Sequence, residues 1–102
     1  MKKAGNLLTV FDFEKIAFTD DGEHMLILGY RVDFTDKEIE LVKILHGSKK
    51  SISKTELAER ADISDTALAV HIANINKKAL PITGRKLIEG NRRGYYKISE
   101  YM

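Results

Sequence analysis

The sequence predicts an α+β fold: an N-terminal four-stranded antiparallel sheet, three helices and a C-terminal β-hairpin, in one domain of 102 residues. Three observations carry this reading. Short segments rich in β-branched and aromatic residues fill the first third of the chain, broken by turn chemistry. Two helix-start signals, at Thr35 and Ser53, open the middle third. A third helical pattern then leads through Pro81 into a basic segment, Arg85 to Ile98, that reads as a hairpin.

Taken in order, Leu7 to Phe13, Lys15 to Thr19, His24 to Leu28 and Arg31 to Phe34 are the expected strands. Asp20-Asp21-Gly22-Glu23 has hairpin-turn chemistry and Gly29-Tyr30 offers a second reversal, so an antiparallel meander is the simplest topology. Thr35-Asp36-Lys37-Glu38 is a capping box, in which hydroxyl and carboxylate reciprocally satisfy exposed amides. Ile39, Val42 and Leu45, flanked by Leu41 and Ile44, give the following helix a wide apolar face, and Gly47 is placed for a left-handed residue after its last turn. Ser53-Lys54-Thr55-Glu56 is a second box, starting a short helix through Leu57, Ala58 and Ala61. Only Asp62-Ile63-Ser64 separates it from the third helix, with Ser64 as cap and Ile63 plugging the turn. Two helices joined so tightly form a helix-turn-helix. Pro81 is expected to stop the third helix, Thr83-Gly84 to turn the chain, and two strands to follow. The single domain thus divides into 1–34 (sheet), 35–80 (three-helix core) and 81–102 (a wing hairpin).

Within the third helix, over 65–79, Leu68, Ile72, Ile75 and Ala79 fall within about 40° of the Leu68 direction at 100° per residue, forming a core-facing stripe. Thr66, Val70, Ala73, Asn74 and Lys77 occupy the opposite face. A solvated helix ordinarily fills that face with mixed charges, yet no acid occurs between Asp65 and Glu89. Such a face suits close approach to a partner; the plainer reading is that alanine is a good helix former and the face touches nothing.

Composition narrows the function classes. Hydrophobic residues make up 43% and charged residues 31%, an ordinary globular balance. The chain has no cysteine, which excludes disulfides and thiolate metal sites. The longest apolar stretch, Met25 to Leu28, is too short to span a bilayer, and no apolar run follows Met1-Lys2-Lys3, so a cytoplasmic protein with no membrane partner is expected. Net charge is only +2, but residues 1–72 hold 10 Lys/Arg against 13 Asp/Glu whereas residues 73–102 hold 7 against 2. That asymmetry concentrates cations in the third helix and hairpin, as contact with a phosphate backbone requires. His24, His46 and His71 fall on separate elements without metal-ligand spacing, and neither a phosphate loop nor a nucleophile setting appears. No enzyme activity and no cofactor are expected.

Several segments resemble the winged-helix effector domains of OmpR/PhoB-type response regulators. Gly29-Tyr30-Arg31-Val32-Asp33-Phe34-Thr35-Asp36-Lys37-Glu38 is similar to the family's approach to its first helix. Val70-His71-Ile72 with Ile75 and Lys77-Lys78 is similar to its recognition-helix signature, and Gly94-Tyr95 to the Gly-Tyr of its last hairpin. The resemblance covers nearly the whole chain. It implies sequence-specific binding of double-stranded DNA by a transcriptional regulator, with the third helix in the major groove and the wing near the minor groove. It also implies a homodimer arranged head to tail on direct repeats, monomeric in isolation, and a preceding receiver domain, making this chain a C-terminal half in preference to a stand-alone regulator. RNA polymerase is a further implied partner. The chain departs from the family at Ala73, Asn74 and Asn76, where many relatives are basic, at the wing tip Asn91-Arg92-Arg93-Gly94, and in the loop Asp62-Ile63-Ser64. The short loop puts the usual polymerase contact in doubt.

The candidate base contacts are Val70, Ala73 and Asn74. The Asn74 amide can bond adenine N6 and N7 bidentately, and Val70 and Ala73 can meet thymine methyls; equally, Val70 can rest on the turn before it. Candidate backbone contacts are Thr66, His71, Lys77, Lys78, Arg85, Arg92, Arg93 and Lys97, with Arg92 or Arg93 best suited to the minor groove. His71 carries over from the family as a phosphate contact, although it borders the core stripe. Tyr95 and Tyr96 alternate on the last strand, and the resemblance favours Tyr95 inside. The competing function, from another class, is a winged helix used as a protein-interaction module, because fold alone does not fix function.

Overall fold

The computed structural model describes residues 16–19, 24–48 and 50–99. Its element order is β1 (Ile16–Phe18), β2 (Met25–Ile27), β3 (Tyr30–Val32), α1 (Asp36–His46), β4 (Ile52–Ser53), α2 (Lys54–Ala61), α3 (Asp65–Thr83), β5 (Ile88–Gly90) and β6 (Tyr95–Ile98). The first sheet is antiparallel in the order β1-β2-β3, three described strands where four were expected. The expected strand Leu7 to Phe13 and the turn at 20–23 lie outside the described residues. The second reversal sits one residue earlier than expected: Leu28 and Gly29 take φ of 51° and 85°, and Ile27 faces Tyr30. Two successive positive φ values match the right-handed strand twist in a two-residue hairpin.

The α1 start forms as predicted. Thr35 N–H donates to Glu38 Oε1 at 2.9 Å while Glu38 N–H donates to Thr35 Oγ1 at 3.2 Å. Gly47, however, is right-handed, with φ −79° and ψ −9°. Its N–H continues the helical ladder to the Lys43 carbonyl, so the chain leaves α1 without a left-handed step. At α2 only half of the second box forms: Ser53 Oγ accepts from Glu56 N–H at 3.1 Å, whereas the Glu56 carboxylate turns to Arg60 at 3.4 Å. Asp62, left-handed at φ 57°, ends α2. Ile63 N–H then reaches the Ala58 carbonyl at 3.0 Å, and the Ile63 side chain packs half-buried against the core.

The α3 stripe is in place, with Leu68, Ile75 and Ala79 fully buried and Ile72 nearly so. Ser64 caps its start, accepting from Ala67 N–H at 3.1 Å. Contrary to the expectation from Pro81, α3 continues to Thr83. Proline in a last turn forfeits one bond, to the Lys77 carbonyl. The turn is retained because Ile82 packs on the core, Thr83 Oγ1 donates to the Ala79 carbonyl at 3.2 Å, and Gly84 N–H reaches the Leu80 carbonyl at 2.8 Å. Gly84 takes φ 73°, the conformation that favours glycine after a helix.

The hairpin is part of a second three-stranded sheet, ordered β4-β6-β5, because the two residues of β4 pair with β6. Gly90 lies opposite Tyr96, and a Cβ on Gly90 would stand 3.0 Å from the Tyr96 ring. The bare backbone there lets the Tyr96 ring fold over it and reach the core, leaving Tyr95 outside at 40% exposure. The assignment of Tyr95 to the inside is thereby corrected.

Two adjacent residues of α1 hold both helices of the helix-turn-helix. Lys37 Nζ donates to the Ala61 carbonyl at the end of α2, 2.7 Å away. Glu38, only 2% exposed, accepts from Lys78 Nζ of α3 at 2.7 Å. The Lys78 ammonium also stands 5.4 Å from the centre of the Phe34 ring. A buried carboxylate that loses its cation is costly, about 3–5 kcal/mol when both partners are dry. Since Lys78 is partly exposed, Lys78→Ala is expected to cost about 1–3 kcal/mol in urea unfolding. Adding Glu38→Gln, which removes the charge yet keeps an acceptor for Thr35, should recover part of that loss. Additivity of the two changes to within about 0.5 kcal/mol would show that the pair contributes nothing specific.

Candidate nucleic-acid interface

The outer face of α3 is laid open by the burial of its stripe. Thr66, Val70, Ala73, Asn74 and Lys77 are all exposed, Val70 at 54%. The extra turn adds Leu80, 52% exposed, to the same side. Sequence reasoning omitted Leu80 because it ended the helix before Pro81; Gly84, a fitting residue just past a helix end, was the available signal. His71 is half-buried at the edge of the stripe, where the wheel places it.

Two polar residues of α3 turn inward. Lys78, a candidate backbone contact, is engaged by Glu38. Asn76 is bonded twice to the backbone of β5: its Nδ2 donates to the Ile88 carbonyl at 3.1 Å, and Ile88 N–H donates to its Oδ1 at 2.8 Å. Since β5 is an edge strand, these two groups lie on its open rim, and the Asn76 amide closes that rim as a short partner strand would. The same bonds fix the hairpin to α3, so helix and wing form one body.

Arg92 and Arg93 sit exposed at the hairpin tip. One side chain orders that tip: Asn91 Oδ1 accepts from Arg93 N–H at 2.8 Å and from Tyr95 N–H at 3.1 Å. The tip is also tied to the helix-turn-helix, because the first amide of α2, Lys54 N–H, donates to the Gly94 carbonyl at 2.8 Å. Arg85 is exposed just after α3, close to the Thr83 hydroxyl, which accepts from Arg85 N–H at 3.1 Å. Lys97 lies elsewhere, half-buried on β6 opposite Glu89, and lines a shallow depression of about 320 Å³ with Ser51, Asn91 and Tyr95. The cations of the chain end therefore divide between the α3 surface, the wing tip and this side groove.

The histidines are dispersed. His46 packs edge-on against the Phe18 ring at 5.9 Å, while His24 directly precedes β2 and His71 lies on α3. Among the described residues no group of three or more His, Asp or Glu is arranged to hold a metal ion. None of the described helices is long and apolar enough to cross a membrane.

No family model matches the sequence, and no curated protein does so either. Solved structures share the fold. The DNA-binding domain of the response regulator AdeR, in complex with an intercistronic region, superposes with a TM-score of 0.72 at 15% identity over 85% of this chain and 96% of that one. The C-terminal domain of the nisin resistance regulator NsrR, a lantibiotic response regulator, gives 0.69 at 23% identity over 84% and 93%. A redox sensor of the streptococci, evolved from two-component response regulators, gives 0.73 at 21% identity over 86% of this chain but only 41% of its own length. The chain thus has the fold of response-regulator DNA-binding domains and spans about two fifths of the streptococcal sensor.

Asn76→Ala strips the partners from both Ile88 rim groups. A cost of about 1–3 kcal/mol is expected from leaving such groups unpaired, together with faster amide exchange at Ile88 and its β5 neighbours than in the first sheet. Equal protection of β5 in the variant and the parent would show that the hairpin does not depend on this amide.

Proposed function

We propose that this chain is the sequence-specific, double-stranded DNA-binding effector domain of a two-component response regulator. In this reading α3 enters the major groove and the β5–β6 wing lies near the minor groove. The observation that carries the proposal is the pairing, on one body, of an acid-free, exposed α3 face with a wing tip that carries two exposed arginines on a backbone turn held by Asn91. Val70, Ala73 and Asn74 are assigned to base edges. Thr66, His71, Lys77, Arg85, Arg92 and Arg93 are assigned to phosphates or sugar, with Arg92 or Arg93 directed to the minor groove. Lys78 leaves the set because Glu38 holds it, and Lys97 is retained only as a peripheral contact.

The likeness to AdeR and NsrR domains supports this reading. A cytoplasmic location follows from the DNA partner. Head-to-tail pairing on direct repeats, from a monomer in isolation, belongs to the same proposal. The connection between α2 and α3 is three residues long, Asp62 to Ser64, so any RNA polymerase contact is assigned to another surface.

A second reading, a protein-interaction module, draws on the exposed Val70 and Leu80, apolar side chains on a helix face. Salt dependence separates the two. Binding to a duplex should weaken linearly in log–log form, with a slope of about −0.9 for each phosphate neutralised, hence about −3 to −5 for the assigned set. Reversing Lys77, Arg92 and Arg93 singly to Glu should each reduce the slope by about 1; the Lys77 change should weaken all sequences alike, and the change at the minor-groove arginine should weaken sites with a narrow, A·T-rich groove most. Weak binding at low salt, with no effect of these reversals, favours the protein-interaction module.

A further inference from the structure

Resting on the DNA reading above, we infer that the base-reading strip of α3 selects a core of A·T pairs alone: an adenine read by Asn74, next to thymines whose methyl groups meet Val70 and Ala73. The argument begins with which side chains remain available. Guanine is read most often by arginine or lysine bonded to O6 and N7, and cytosine by a carboxylate accepting from N4. Residues 65–83 contain no arginine, and their cations are Lys77 and Lys78. Lys78 is held by Glu38 at 2.7 Å, and Lys77 is assigned above to the phosphate backbone. The one acid, Asp65, lies in the first turn, about 130° round the helix from the centre of the strip. Of the two amides beyond Val70, Asn76 is spent on both backbone groups of Ile88, whereas Asn74 is exposed.

The strip therefore presents one amide beside two small apolar side chains, with Lys77 at its far end. An amide matches the N6 donor and N7 acceptor of adenine, and the apolar surface matches the C5-methyl of thymine. Val70 to Asn74 spans about 6 Å of helix axis, comparable to two base-pair steps, so the core is two to three pairs long. Val70, 54% exposed, is the largest side chain among the base-reading candidates and gains most from covering a methyl group. The wing agrees with this choice: A-tracts narrow the minor groove and deepen its negative potential, which favours an inserted arginine such as Arg92 or Arg93.

The test is selection of binding sites from a random duplex pool with the full chain and with Asn74→Ala, followed by titration of the selected site carrying deoxyuridine in place of individual thymines. The expected result is an A·T core of two to three pairs, relaxation at one A·T pair in Asn74→Ala, and a several-fold loss of affinity on removing a core methyl that disappears in Val70→Ala. Both substitutions lie on exposed surface, and the deoxyuridine series needs no variant at all. A guanine or cytosine enriched in the core and lost on changing Asn74 or Lys77 overturns the inference while leaving the DNA reading intact. Binding without any enriched sequence does the same, as does indifference to every core methyl. Absence of binding to any duplex at low salt overturns both.

Discussion

The placement of the two helix-turn-helix helices depends on a pair of neighbouring side chains in the first turn of α1. Lys37 closes the carbonyl end of α2 and Glu38 receives Lys78 of α3. Each contact has its own physical basis. A cation at a helix C-terminus meets both an orphan carbonyl and the negative end of the helix dipole. A carboxylate withdrawn from water needs every lone pair engaged, and Glu38 Oε1 is engaged by its own cap amide and by the ammonium. The capping box is thus more than a helix start. It orients the carboxylate that positions α3 against α1, with Phe34 beneath the same ammonium.

A second set of contacts carries the hairpin. The β5–β6 pair has β4 on one side and the Asn76 amide on the other, so neither rim of the hairpin is left open at these positions. Gly90 and Tyr96 complete it, since the missing Cβ admits the ring that joins the hairpin to the core. The Lys54–Gly94 bond then ties the tip back to the start of α2. Every surface assigned to DNA is consequently referred to α1 through no more than two contacts, which is what a shape-reading interface needs: groups held in fixed register cost little ordering entropy on binding.

What was legible in the sequence was local. The Thr35 box, the Ser64 cap and the Leu68–Ile72–Ile75–Ala79 stripe are encoded by spacings of three and four residues and appear as read. What was hidden is non-local or too short to have a period. Glu38 meets Lys78 forty positions away, and no pattern within either helix announces the pairing. A two-residue strand such as β4 has no alternation to detect, and its existence depends on where β6 happens to lie. Alternation places Tyr95 and Tyr96 on opposite faces but cannot say which face is inner; that choice is made by Gly90 across the ladder. In the candidate site the outer face was legible as a wheel, whereas the withdrawal of Asn76 and Lys78 from it was not.

These withdrawals shape the interface. A recognition helix that keeps all its cations outward must find another way to hold itself against the body, while one that commits Lys78 inward forfeits a phosphate contact for the sake of register. This chain takes the second course and restores charge at the wing tip, where Arg92 and Arg93 stand on a turn ordered by Asn91. The division separates two demands that charge and shape answer differently. Long-range attraction to a polyanion is tolerant of position and can be delegated to a tip, but base reading is not, and the strip that performs it in the proposed complex is left small, neutral and fixed from beneath. In that proposed complex Asn76 and Lys78 serve recognition without touching a partner, by holding the wing and the helix to which the contacting groups belong.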